Sequence, residues 1–186
     1  MDITAFFSSQ VKLDSFQTNF IDAAFERIEY PKNKIILEPQ NNSKKLIFIE
    51  KGLMRTFYFK DTKNITQHFF DENSFVGPID SIFYNRLDPY GWETLEPTTI
   101  RSIDYNVFSR IIENTPGMDK FTTGFLVEVI KTFSERLSAL QFQSAQQRYD
   151  HMTINHPNII YRAPLGMIAS YLGVTQQTLS VLRGKR

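Results

Sequence analysis

Leu165–Gly184 reads LGMIASYLGVTQQTLSVLRG, and two short helices joined by one tight turn account for it. Pro164 suits the first turn of a helix. Ile168 and Leu172 then share one helical face, with the small Ala169 beside them where a second helix can cross closely. Gly173 permits the sharp reversal that a helix-turn-helix needs. Thr175 is a good N-cap for the second helix. Val174, Leu179 and Leu182 point back to the core, and Gly184 fits the C′ stop. Gln176, Gln177, Ser180 and Val181 are left on the outside of that second helix. Glutamine offers the paired donor and acceptor that match adenine in the major groove, and the hydroxyls of Thr175, Thr178 and Ser180 suit bases or phosphates. Arg183, Lys185 and Arg186 supply charge for phosphates. The plainer reading is two packed helices with a polar face; the joint pattern favours a DNA reader.

Charge points the same way. The 186 residues carry 21 Lys and Arg against 20 Asp and Glu, so the total says little. Yet Asp150 is the last acidic residue. From His151 onward there are four basic residues and no acidic ones, which leaves 17 basic and 20 acidic in the first 150. A basic tail on a mildly acidic body fits a phosphate-binding module.

Moving toward the N-terminus, Met118–Ala145 is expected to be one long helix. Phe121, Phe125, Val129, Phe133 and Leu137 recur every four residues, and Leu126, Ile130 and Leu140 widen the stripe. That stripe exceeds what one small barrel needs. It either packs wholly on the barrel or forms a dimer seam, and Phe125, Val129, Phe133, Leu137 and Leu140 are the seam residues expected. Pro116 and Gly117 precede it and end a short helix from Asp104 to Asn114. Lys34 to about Asp104 has a different texture. Short β-branched and aromatic runs (KIILE, KLIFIE, LMRTFYF, NITQHFF, GWETL, TTIRSI) alternate with turn-rich segments, the signature of a β-sandwich or barrel. FYF-KDTKN-ITQHFF reads as a hairpin. Residues 3–28 carry apolar residues near helical spacing, from Phe6 and Phe7 to Ile28, and read as helix up to Pro31.

The chain has no cysteine, which excludes disulfides, thiolate metal sites and a Cys nucleophile, and fits a reducing cytosol. From the opening MDITAFFSSQ no signal peptide is expected, and no apolar stretch is long enough to predict a membrane span. His68, His151 and His156 show no metal-ligand spacing, so no metal site is expected, and His68 reads as packing within a strand. No GxSxG, P-loop or GxGxxG motif occurs.

These segments together resemble the cyclic-AMP receptor/fumarate–nitrate regulator (Crp/Fnr) superfamily. The resemblance lies in KLIFIEKGLMRTFYF, ITQHFFDENSFVG and GWETLEPTTIRSI, and in the tail RYDHMTINHPNIIYRAPLGMIASYLGVTQQTLSVLR. It covers nearly the whole chain. It implies an α+β fold: an N-terminal cyclic-nucleotide-binding-like jelly roll with flanking helices over 1–117, a dimerisation helix over 118–145, and a helix-turn-helix DNA-binding domain over 146–186. Two departures stand out. Members that bind cyclic AMP carry Gly-Glu followed later by Arg-Ser around the phosphate. Here the loop reads Phe75-Val76-Gly77-Pro78-Ile79-Asp80, with Pro78 where the Glu belongs, and Asp88-Pro89 or Pro89-Tyr90 stands for Arg-Ser. A carboxylate at Asp88 repels phosphate, so cyclic AMP is not expected to bind and no cofactor is identified. Phe75, Gly77, Ile79, Asp80, Tyr90 and Trp92 are the expected lining of an effector pocket, with a simple core role as the alternative for Phe75, Tyr90 and Trp92. The second departure is the tail: the sequence runs two residues past Gly184, and no wing strand is expected.

The expected function is a cytoplasmic, homodimeric transcription regulator. Its partners are double-stranded DNA, a second copy, a small effector of unknown kind and RNA polymerase, and it is not expected to be an enzyme. The alternative is a ligand-binding jelly-roll module whose C-terminal helices make protein contacts. A cupin-like enzyme ranks third, because the barrel segment lacks clustered His and Glu ligands.

Overall fold

A computed structural model describes residues 1–184, so Lys185 and Arg186, expected phosphate contacts, lie outside the described residues. The chain opens with α1 (Ile3–Gln10) and α2 (Ser15–Ala24), then β1 (Glu26–Tyr30), β2 (Ile35–Leu37), β3 (Lys45–Lys51), β4 (Met54–Lys60), β5 (Lys63–Phe70) and β6 (Phe75–Val76). A short α3 (Ile79–Tyr84) leads to β7 (Gly91–Thr94) and β8 (Thr98–Asp104). The rest is helical: α4 (Tyr105–Asn114), α5 (Met118–Phe142), α6 (Ala145–Asn155), α7 (Pro157–Arg162), α8 (Leu165–Leu172) and α9 (Gln176–Gly184).

The strands form two four-stranded antiparallel sheets, ordered β1-β8-β3-β6 and β2-β7-β4-β5. Alternation along β3 shows how they stack. Ile47 and Ile49 join Val76 and Ile100 of their own sheet and meet Met54 and Trp92 of the other. Phe48, between them in sequence, points the opposite way into a second core with Phe7, Phe25 and Phe108. A strand places successive side chains on opposite faces, so one sheet serves both a sandwich core and a helix-covered core. The expected hairpin is β4–β5, paired from Met54↔Phe70 to Lys60↔Lys63 around Asp61 and Thr62.

The reading of 3–28 as continuous helix is corrected. Asp2 caps α1 by accepting from the Ala5 N–H, and Asp14 caps α2 in a capping box with Gln17. Two N-caps so close together divide the segment into two helices. Residues 26–30 are instead an edge strand, with Ile28 opposite Ile100 of β8. Here the alternation of Ile28 and Tyr30 with the exposed Arg27 and Glu29 outweighs the helical spacing upstream.

Helix α5 ends at Phe142. Ser144 and Gln147 form a capping box that starts α6 at once. Arg148 donates to the carbonyls of Gln143 (2.6 Å) and Leu172 (2.9 Å), satisfying chain ends left by α5 and α8. Pro164 stands at the N-cap of α8, one place before the first turn. Helix α9 includes Gly184, which sequence reading placed just past the helix.

The C-terminal helices share a core with the sandwich: Leu53, Phe69 and Leu95 pack with Ile168, Ala169, Leu179 and Leu182. Helix α8 lies on β5, the edge strand of its sheet. Ser170 Oγ accepts from the Thr66 backbone N–H at 2.9 Å, occupying an N–H that an edge strand leaves open.

Candidate nucleic-acid interface and effector cavity

Helix α9 is built from its caps upward. Gly173 sits at the C-cap of α8 with φ of 68°, the left-handed conformation that glycine adopts without strain. Thr175 Oγ1 accepts from the Thr178 N–H at 3.1 Å and so caps α9, and it lies 2.8 Å from Thr178 Oγ1. Leu179 and Leu182 are buried, and Val174 packs against the same core. Gln176, Gln177, Thr178, Ser180, Val181 and Arg183 are all exposed. The side chain of Gln176 passes over α8: a Cβ built on Gly166 meets Gln176 Oε1 at 3.1 Å. Ser180 Oγ donates to the Gln176 carbonyl. The structure thus brings the sequence-selected residues of α9 onto one outward face.

Arg162, counted above with the basic tail, is engaged elsewhere. It donates to both Glu72 carboxylate oxygens (2.8 and 2.9 Å) and to Glu96 (2.6 Å), tying α7 to the jelly roll. Burial works against the Glu72 charge, but the Arg162 bonds and the Gly52 N–H prevail and bring its pKa down to about 2. A second tie is Arg136 of α5, which donates to the Gln67 and Tyr171 carbonyls and lies over the Tyr171 ring at 4.3 Å. Beside it His68 packs on Phe70, Phe133 and Tyr171. Its Nδ1 is buried without a partner. Burial, then the positive charges of Arg136 and His156, bring its pKa down to about 3, so it is neutral.

A cavity of about 270 Å3 lies between the jelly roll and helices α3, α4 and α5. All six pocket residues expected from sequence line it: Phe75, Gly77, Ile79, Asp80, Tyr90 and Trp92. Trp92 is also fully buried in the core between the sheets, so its two readings merge. Pro78 occupies the N-cap of α3 with no side-chain cap bond. Asp88 lines the cavity and accepts from the Tyr90 N–H at 3.0 Å. Burial pushes its carboxyl pKa up, and that of Tyr90 as well.

Helix α5 forms one wall of that cavity and divides the expected seam. Phe125 and Val129 are half-buried and line the cavity; Phe125 packs on Phe75 and Phe121. Leu126, Ile130, Phe133, Leu137 and Leu140 are exposed along the helix. Their spacing of four, three, four and three is that of a coiled-coil seam. Leu126 and Ile130 therefore stand on the open stripe where sequence reasoning put Phe125 and Val129.

The fold is of the Crp/Fnr type. Among solved structures, a CooA variant from Carboxydothermus hydrogenoformans superposes with TM-score 0.72 at 18% identity, covering 96% of this chain and 81% of that one. FixK2 from Bradyrhizobium japonicum gives 0.74 at 12%, covering 87% and 83%. A transcriptional regulator of the Crp/Fnr family from Eubacterium rectale gives 0.69 at 14%, covering 93% and 83%. No protein-family model matches the chain, and no curated protein matches it. Among the described residues, no helix is long and apolar enough to cross a membrane.

Proposed function

We propose that this chain is a sequence-specific DNA-binding transcription regulator that acts as a homodimer without cyclic AMP. One observation carries the reading. In α9 the residues suited to reading bases and holding phosphate are exposed on one face, while Leu179 and Leu182 anchor the opposite face in the core. A helix of this kind presents its N-terminal residues to the major groove, and there Gln176 and Gln177 match adenine. Thr175 caps the helix with Thr178 against it, both placed to meet the DNA backbone, Ser180 and Val181 stand one turn on, and Arg183 holds phosphate.

The remainder follows from that role. Residues 1–117 act as the sensor, 118–145 as the dimerisation helix and 146–186 as the reader. The open stripe from Leu126 to Leu140 supports pairing of two α5 helices. That pairing sets the two readers about one DNA turn apart. Cyclic AMP independence is supported by Pro78 and by the carboxylates of Asp80 and Asp88 in the cavity. The compartment is the cytoplasm, and RNA polymerase is the further partner of such a regulator. The protein works as a binding switch rather than an enzyme.

The test is a gel shift with genomic fragments at fixed salt. A few fragments should be retarded at protein concentrations from about 0.01 to 10 nM, the usual range for specific sites. Equal retardation of all fragments, or none, contradicts the proposal and favours protein contacts for the C-terminal helices.

A further inference from the structure

We propose that the cavity between the jelly roll and α5 binds a small, uncharged, largely apolar molecule carrying one hydroxyl group. The inference names the effector class for the regulator proposed above. It concerns binding to the protein alone, so it stands or falls separately from DNA recognition.

Size sets the first limit. At about 30 Å3 per water, 270 Å3 corresponds to roughly nine waters, or an organic molecule of similar heavy-atom count. The walls set the second. Phe70, Phe75, Trp92, Phe121, Phe125 and Val129 contribute aromatic and aliphatic surface, the lining usual for a small-molecule site.

Charge sets the third limit. Among the described residues lining the cavity there is no Lys, Arg or His, while Asp80 and Asp88 both line it. A phosphate or carboxylate entering this space meets two acids and no cation. A cation gives up its hydration shell to enter, and Asp88 is already engaged by the Tyr90 N–H.

The hydroxyl follows from Thr122. On α5, Thr123 and Thr132 donate to the carbonyls of Asp119 and Glu128 one turn back, the usual arrangement on a helix. Thr122 lines the cavity, and its Oγ1 is buried with no hydrogen-bond partner. A buried hydroxyl left alone is costly. An alcohol in the cavity completes it, as donor or as acceptor.

The probes are 1-octanol, octanoate, octylammonium and cyclic AMP, added to the whole protein. The readouts are the emission of its single tryptophan, Trp92, and the melting temperature. Octanol should change the emission saturably and raise the melting temperature, whereas octanoate and cyclic AMP at equal concentration should do neither. Thr122→Val keeps the side-chain shape and should weaken octanol about tenfold. Val129→Phe fills space at the α5 wall and should weaken it at least as much, with circular dichroism checking that both variants fold. Absence of a saturable response to octanol in the folded wild type overturns the site. Tighter binding of octanoate, octylammonium or cyclic AMP overturns the ligand class. Equal octanol affinity in Thr122→Val overturns the hydroxyl pairing.

Discussion

His68 should make this protein lose stability as pH falls through a range where most side chains do not titrate. Its imidazole lies where β5, α5 and α8 meet, against Phe133 and Tyr171. The residue as a whole is partly covered, but Nδ1 is out of water and unpaired. Its pKa falls from 6.5 to about 3 on folding. The unfolded chain therefore takes up a proton below pH 6.5 that the folded chain refuses. Stability from this group is complete above about pH 6.5, declines as pH drops, and levels off below about 3. At pH 5, about 1.5 units below the free value, the loss is at most about 2 kcal/mol, at about 1.4 kcal/mol per unit. Urea denaturation between pH 8 and 5 measures it, with His68→Leu as the control. Leucine removes both the proton site and the unpaired Nδ1, so the variant should hold its stability at pH 8 and lose about 2 kcal/mol less by pH 5. Parallel pH profiles for wild type and variant would refute the argument, since they mean that His68 takes its proton without penalty.

Further outcomes are expected. Leu137→Asp puts an unpaired charge on the open stripe of α5 and should cost the dimer several kcal/mol. Sedimentation at micromolar concentration should then show monomer, and a persisting folded dimer places the interface elsewhere. Glu72→Gln with Glu96→Gln removes both negative charges that face Arg162 and leaves one amide oxygen in place of each carboxylate pair; it should weaken the docking of α7 and α8 by about 1–3 kcal/mol, read as faster amide exchange in those helices. The tie also depends on pH: Glu72 is held at about 2, so its stabilisation is complete above about pH 4.5 and fades as pH falls through 2. Millimolar cyclic AMP should leave the melting temperature unchanged, where a ligand at about 100 times its dissociation constant adds about 2.7 kcal/mol.

Much of the architecture was legible because it rests on local patterns. The Ile47–Ile49 alternation, the β4–β5 hairpin and the Gly173 turn each announce themselves within a few residues. The six cavity residues came from resemblance, and the fold gathers them around one space. What stayed hidden depends on three-dimensional neighbours. No spacing tells that Arg162 serves Glu72 and Glu96 rather than phosphate, since its partners lie 90 and 66 residues away. Nor does any pattern place Ser170 on Thr66. The division of α5 was half readable. The repeat of four through Phe121, Phe125 and Val129 marks the face turned to the cavity, and the alternation of four and three from Leu126 to Leu140 marks the open one. The expected seam follows the repeat of four, and both stripes pass through Phe133 and Leu137. The strand over 26–30 is masked in the sequence by the helical spacing that runs into it, while the Asp2 and Asp14 caps mark shorter helices upstream.

The central claim, that α9 reads DNA sequence, is tested most directly by selecting binding sites from a random library. The proteins compared are wild type, Gln176→Ala, Gln177→Ala and Arg183→Ala, at several salt concentrations. Wild type should select two half-sites about one helical turn apart. Each glutamine variant should relax preference at its own position within the half-site, by about 1–3 kcal/mol. Arg183→Ala should keep the preference, weaken all sites alike and reduce the salt slope by about one. If wild type selects no sequence, or if the glutamine variants lose affinity while keeping every preference, α9 is not the reader and the regulator assignment fails.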